Sequence, residues 1–315
     1  MHTTSLQKAA AIWSACRPNF LLLGLIMPLS ATALSTYQGI DWHPVVLALL
    51  LLSALLAHAA VNLRNEIEDT ESGLDAITFK TAFSGGSGAL LGFQADLGFA
   101  ERAYQIMVAV LLVLGLYFSW SVSLWLLVLG GIGLILIRFY TSTITRRPIV
   151  YWLAAGLGFG PVMLLGSYWV IAGQVDSAAL IFALICFFLV NNLLLLNQLP
   201  DIQADRSVGR SNVWIVYGNN SAYSLFVFSC LSSLLLLVIM AALLEHMILN
   251  LLTLWAVPML WMAVHLKKWL KENPDMTISL ENLPILRPIL AMNVIINLFF
   301  PLSIASVLMI GTGAV

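Results

Sequence analysis

Residues 177–206 read SAALIFALICFFLVNNLLLLNQLPDIQADR. From 177 to 199 the run is almost wholly apolar. At about 1.5 Å per residue it is long enough to cross roughly 30 Å of bilayer hydrocarbon as one helix. It then turns acidic. Asn197, Asp201 and Asp205 follow at intervals of four, which places them on one face if the helix continues. An apolar span that delivers oxygen-bearing side chains to the membrane surface is the unit from which the rest of the chain can be read.

Working outward, similar runs occur at 18–37, 44–62, 103–121, 122–140, 150–173, 222–244, 246–266 and 288–311, nine in all with 177–199. Of the 315 residues, 61% are hydrophobic and 9% charged, against about 25% charged in soluble domains. These features predict an all-α, polytopic protein of the lipid bilayer with nine transmembrane helices. The net charge of −1 says little about partners, because in a membrane protein the placement of charge matters more than its sum, and nucleic acid is not an expected partner.

Charge placement predicts orientation. With the N-terminus cytoplasmic, all 14 lysines and arginines fall inside, and the outer turns near Asp41, Trp120, Asp176 and Glu245 carry none. This is the pattern of a multi-pass protein of the inner (plasma) membrane. Lys8 and Arg17 ahead of an apolar stretch ending in Ala31-Thr-Ala33 would also fit a cleavable signal peptide. Cys16, Cys186 and Cys230 have neither paired nor metal-ligand spacing and read as small buried residues.

Polar character gathers in two inner loops, 62–102 and 197–220, separated by four helices and so on the same side of the membrane. The first opens Asn62-Leu-Arg-Asn65-Glu66-Ile-Glu68-Asp69, where Asn62, Glu66 and Asp69 recur at i, i+4 and i+7. Two oxygen-rich patches result. Clustered carboxylates repel unless a cation sits among them, and Mg2+ is the natural one. It uses one or two carboxylates and completes its octahedron with water and phosphate oxygens. The pattern therefore points to Asp69, Asp201 and Asp205 around a metal-bound diphosphate, while Glu68 and Glu71 read as solvated surface acids. Between the patches lies Lys80-Thr-Ala-Phe-Ser84-Gly-Gly-Ser-Gly88, a segment whose backbone N–H groups and lysine could cradle phosphate or simply form a flexible loop. Arg138, Arg146 and Arg210 could pair with phosphate, or snorkel at inner helix ends. Tyr140 is a candidate cavity wall, and His58 lies one turn before Asn62. Asn191, Asn192, Asn293 and Asn297 sit within apolar helices and could be interhelical glue.

These motifs, in this order, resemble the UbiA superfamily of intramembrane prenyltransferases, most closely its menaquinone-pathway branch. The resemblance is carried by Arg17-Pro18, Asn65-Glu66-x2-Asp69-x3-Gly73-x-Asp75, Phe83-Ser-Gly-Gly-Ser-Gly88, Tyr140-Thr141, Gly156-x-Gly158-Phe-Gly160-Pro161, and Asn197-x3-Asp201-x3-Asp205-Arg206-x2-Gly209-Arg210. It implies a single domain over residues 1–315, with helices around a central cavity under a cytoplasmic polar cap. It further implies Mg2+-dependent transfer of a prenyl group from a prenyl diphosphate to a small, aromatic quinone precursor. On that expectation Asp69, Asp201 and Asp205 bind magnesium with Glu66. Asn62, Asn65 and Asn197 orient or complete the shell, and Lys80, Ser84, Arg138, Tyr140, Arg146 and Arg210 meet substrate. Glu66 stands where the family usually has aspartate, and Thr81-Ala82 where an arginine-proline pair is often seen. A non-aromatic lipid or tetrapyrrole acceptor stays open within the family, and a cation-coupled transporter outside it.

Overall fold

The structure is a computed structural model that describes residues 4–78, 86–93, 95–276 and 282–311. Among these residues there are no strands, and eight helical segments are long and apolar enough to span a bilayer. They are α2 (Pro18–Tyr37), α3 (Pro44–Glu71), α5 (Gly98–Ser121), Pro148–Ala172, Ser177–Ser207, α11 (Val213–Leu243), Met247–Glu272 and α13 (Leu283–Gly311). The span expected at 122–140 is shorter than anticipated: α6 covers only Leu126–Phe139, 14 residues. That is about 21 Å of helix. Val122 leaves the helical region (φ −122°, ψ −61°), so the turn after α5 consumes the first residues of the expected span.

Two spans are interrupted where proline removes a backbone donor. Pro148–Ala172 consists of α7 (Pro148–Leu157), a π-helical turn over Gly158–Leu165 containing Pro161, and α8 (Gly166–Ala172). Ser177–Ser207 consists of α9 (Ser177–Asn197), a 3-10 turn over Leu199–Asp201 containing Pro200, and α10 (Ile202–Ser207). The span Met247–Glu272 begins as a 3-10 stretch and continues as α12 (Ala256–Glu272).

α9 forms the centre of the bundle, packed against α7, the π turn, α11 and α13. The approach to α7 and the π turn depends on Gly156 and Gly160. A Cβ at the first would collide with the Phe187 carbonyl and the Asn191 side chain, and one at the second with the Ala183 carbonyl. Small residues four apart let the two backbones meet, a common device between helices in lipid. The asparagines inside these helices act as glue. Asn191 Oδ1 accepts from Gly156 N at 2.8 Å, Asn192 Nδ2 donates to Phe226 O at 3.0 Å, and Asn293 Nδ2 donates to Asn192 O at 3.0 Å.

Two short helices lie at the end of the bundle where α3 ends. α4 (Leu74–Ile77) follows α3 across a left-handed Gly73. α1 (Ser5–Ala15), a helix not anticipated from the sequence, starts at a Thr4–Gln7 capping box and docks on α3 and α5, with Lys8 paired to Asp96 at 3.0 Å.

Candidate active site

The last turns of α3 and the α9–α10 segment face each other across a cavity of about 280 Å³. Asn62, Asn65 and Asp69 line it from α3, and Asn197, Gln198, Asp201 and Asp205 from the other side. Tyr140 and Arg210 also belong to the polar wall, with Asp75 and Thr78. Pro200 turns the chain without moving the second acidic set off its face, so the i, i+4 spacing survives the break in the helix.

Arg210 ties the two sets together. Its Nη2 donates to Asp69 Oδ1, and its Nη1 lies 3.4 Å from Asp205 Oδ1. Burial works against the guanidinium charge, but the adjacent carboxylates outweigh it and hold the Arg210 pKa above its ordinary value. Asp205 also accepts from Asn212 Nδ2 at 3.3 Å. Behind Asp69 a relay orients its other oxygen: the Thr141 hydroxyl donates to Asn65 Oδ1 at 3.1 Å, and Asn65 Nδ2 donates to Asp69 Oδ2 at 2.9 Å. Tyr140 meets Tyr151 edge to face, centroids 5.6 Å apart, and burial raises its phenol well above the usual value. His58 also lines the cavity, edge to face with Phe159 at 5.0 Å.

Several expected site residues are not gathered here. Arg138 points to Glu68 (3.7 Å) with its side chain half exposed, and Arg146 lies exposed on a 3-10 turn, so neither lines the cavity. Both lie at or just beyond the end of α6, where arginine extends toward water. Glu68 is held in ion pairs with Arg64 and Arg138 rather than left in solvent. Lys80 and Ser84 lie outside the described residues.

Glu66 departs most from its expected place among metal ligands. It is fully buried but does not line the cavity. Its carboxylate accepts from Ser87 N at 2.9 Å, Ser87 Oγ at 2.6 Å and Ala89 N at 3.0 Å. The helical wheel explains why. At about 100° per residue, the α3 residues that line the cavity, Ala57, His58, Val61, Asn62, Asn65 and Asp69, span an arc of about 140°, and Glu66 lies about 40° beyond its Asn62 edge. Arg17, which spacing did not single out, does line the cavity; its place directly before Pro18 at the start of α2 was the available signal.

The donors at the cavity are oxygens of carboxylates and carboxamides, the chemistry of a hard cation. Asn197 Oδ1 and Gln198 Oε1 are buried and accept no hydrogen bond. Among the described residues no three acidic, histidine or cysteine side chains are close enough to hold an ion unaided. That suits magnesium, which takes one or two carboxylates and draws the rest of its shell from water and substrate. The residues fit such an ion.

An apolar groove of about 380 Å³ adjoins the cavity between α3, α5, α6 and the π turn. The two share Ala57, Gly133, Ile137, Val162 and Met163. Gly115, Gly130 and Gly131 widen the groove, and a Cβ at any of them would meet nothing within 4 Å.

The chain is similar to known proteins over most of its length. Residues 97–281 match the sequence model of the UbiA prenyltransferase family. The 1,4-dihydroxy-2-naphthoate octaprenyltransferase of Bacillus subtilis is 28% identical over 225 residues, 69% of each chain. The protein of the same description from Escherichia coli is 27% identical over 238 residues, 70% of this chain and 73% of that one. Among solved structures, a UbiA homolog from Archaeoglobus fulgidus bound to GPP and Mg2+ superposes with a TM-score of 0.61 at 16% identity, over 94% of this chain and 99% of that chain. The apo UbiA homolog from Aeropyrum pernix K1 gives 0.61 at 17% identity, over 88% and 98%. A bundle of membrane-spanning helices that brings two acidic motifs to one polar cavity, with this family match over more than half its length, belongs to the UbiA prenyltransferase family, and the chain is a prenyltransferase.

Proposed function

We propose that the protein transfers a prenyl group from a prenyl diphosphate to a small aromatic acceptor of the dihydroxynaphthoate type, with Mg2+, in the menaquinone pathway and at the cytoplasmic face of the inner membrane. The observation that carries this reading is the meeting of Asp69 and Asp205, from two distant inner segments, at one guanidinium beside an apolar groove. The acceptor class is supported by the naphthoate acceptor in the names of both curated relatives.

Asp69, Asp201 and Asp205 line the cavity, and an ion there would be held by one or two of them together with water and diphosphate oxygens, with Asn65 and Asn197 beside them. Bound magnesium supplies positive charge to the leaving diphosphate. Arg210 sits where it can add charge to the same group as the allylic carbon–oxygen bond breaks and its electron pair passes to the diphosphate. The acceptor ring then donates an electron pair to the allylic carbon and forms the new carbon–carbon bond, and it regains aromaticity by losing a proton, or carbon dioxide where the attacked carbon carries the carboxylate. Tyr140, Tyr151 and His58 wall the cavity and limit the water that would otherwise capture the cation. The groove accommodates the first isoprene units.

The test is turnover of purified protein in nanodiscs with prenyl diphosphate, Mg2+ and dihydroxynaphthoate. Prenylated naphthoate should form, stop with chelator and return with Mg2+. Asp201→Asn and Asp205→Asn should lose about 100-fold or more with every acceptor, as removal of several kcal/mol of charge stabilisation implies. Undiminished turnover under chelation would overturn the metal, and no turnover with any aromatic acceptor would overturn the acceptor class.

A further inference from the structure

Among the described residues two cations line the cavity, Arg210 and Arg17. Arg210 is already engaged by Asp69 and Asp205. Arg17 is differently placed. It forms the corner between α1 and α2 with left-handed backbone angles (φ 52°, ψ 65°), a conformation that a residue with a Cβ rarely adopts. Its Nε is buried and makes no hydrogen bond. A diphosphate carries more negative charge than one guanidinium can balance, and arginine's fixed fork of donors matches phosphate oxygens.

The corner is held by α3. Asn62 Nδ2 donates to the Cys16 carbonyl at 3.0 Å, which pins the residue before Arg17, and Pro18 fixes the residue after it. One turn further along α3, Glu66 Oε2 lies 3.8 Å from Arg17 Nη2. The Glu66 oxygens are meanwhile taken up by Ser87 and Ala89. Glu66 therefore joins the Arg17 corner to the segment after Gly86, which itself lines the cavity. Three hydrogen bonds and a guanidinium largely fill the acceptor sites of a carboxylate, and its position behind the wall turns them from the cavity.

We propose that Arg17 binds the diphosphate of the prenyl donor, and that Glu66 is a positioning residue that orients Arg17 and folds residues 86–89 onto the cavity mouth instead of ligating metal. This rests on the reading of the cavity as a prenyl diphosphate site. It also accounts for glutamate where the family usually has aspartate. A side chain one methylene shorter would leave the Ser87 and Ala89 donors beyond hydrogen-bond reach.

The experiment uses the full-length protein in nanodiscs with Mn2+ in place of Mg2+. Electron paramagnetic resonance reads Mn2+ number and affinity, and calorimetry reads binding of inorganic pyrophosphate to the Mn2+-loaded protein. Arg17→Gln should weaken pyrophosphate binding by about tenfold or more, the loss expected for a charged hydrogen-bonded contact, with Mn2+ binding unchanged. Arg17→Lys should recover part of it. Glu66→Gln and Glu66→Asp should weaken pyrophosphate severalfold and leave Mn2+ alone, whereas Asp205→Asn should lose Mn2+. If Glu66→Gln lowers Mn2+ affinity as Asp205→Asn does, Glu66 is a ligand and the proposal is overturned. Unaltered pyrophosphate binding in both Arg17 variants overturns the role of Arg17. Failure of the unmodified protein to bind Mn2+ and pyrophosphate would instead overturn the underlying reading of the cavity.

Discussion

Asp69 and Arg210 stand 141 positions apart in the chain, yet their side chains are hydrogen-bonded across the cavity. Asp69 ends a spanning helix, and Arg210 follows the short helix that ends another. The guanidinium also reaches Asp205, so it neutralises carboxylates from both motifs at once.

Removing that charge should be costly when no metal is bound. Arg210→Met leaves two buried carboxylates without their partner, which in comparable sites costs about 3–5 kcal/mol. Thermal unfolding in chelator should show the loss. Added Mg2+ should raise the Tm of the variant more than that of the unmodified protein, because binding to the folded state alone stabilises it. An equal Mg2+ response in both would show that ion and guanidinium do not share these carboxylates.

The relay from Thr141 through Asn65 to Asp69 predicts a smaller effect. Thr141→Val keeps the shape and removes the hydroxyl that donates to Asn65 Oδ1. The amide is then free to turn away from Asp69. Turnover and Mn2+ affinity should fall by about 10-fold, the usual consequence of losing a supporting hydrogen bond behind a metal ligand. A Val variant with unchanged Mn2+ affinity would show that Asn65 needs no such support.

The groove offers a test of donor selection. Gly131→Leu adds a side chain where its Cβ meets nothing within 4 Å, so the bundle itself is not strained. The added atoms should occupy the groove and shift preference toward short prenyl diphosphates by about tenfold, measured as kcat/KM for dimethylallyl against longer donors. If long and short donors suffer alike, the tail runs elsewhere.

Orientation can be read with cysteine labelling, since the three native cysteines are buried. Val175 and Ser207 are exposed at opposite ends of the span that begins at Ser177. Val175→Cys should react with an impermeant reagent applied from outside, and Ser207→Cys only after permeabilisation. The reverse pattern would invert the topology.

Much of this protein is determined by sequence alone. Apolar length sets the membrane spans, because lipid leaves backbone groups no partner but their own helix. The four-residue spacing of Asn197, Asp201 and Asp205 puts them on one face, and that relation holds even across Pro200. Periodicity sets only the angles between residues of one helix, however, and not the direction in which the helix is turned. The rotation of α3 is decided by its packing on α2, α5 and α6, and it brings Asn65 to the cavity while turning Glu66 toward Ser87. Packing likewise leaves Arg138 and Arg146 at the periphery and brings Arg17 inward through the bond from Asn62 to the Cys16 carbonyl and the pairing of Arg17 with Glu66, both on another helix. Local spacing carries no trace of such contacts, because they join segments tens of residues apart that meet only once the bundle has closed.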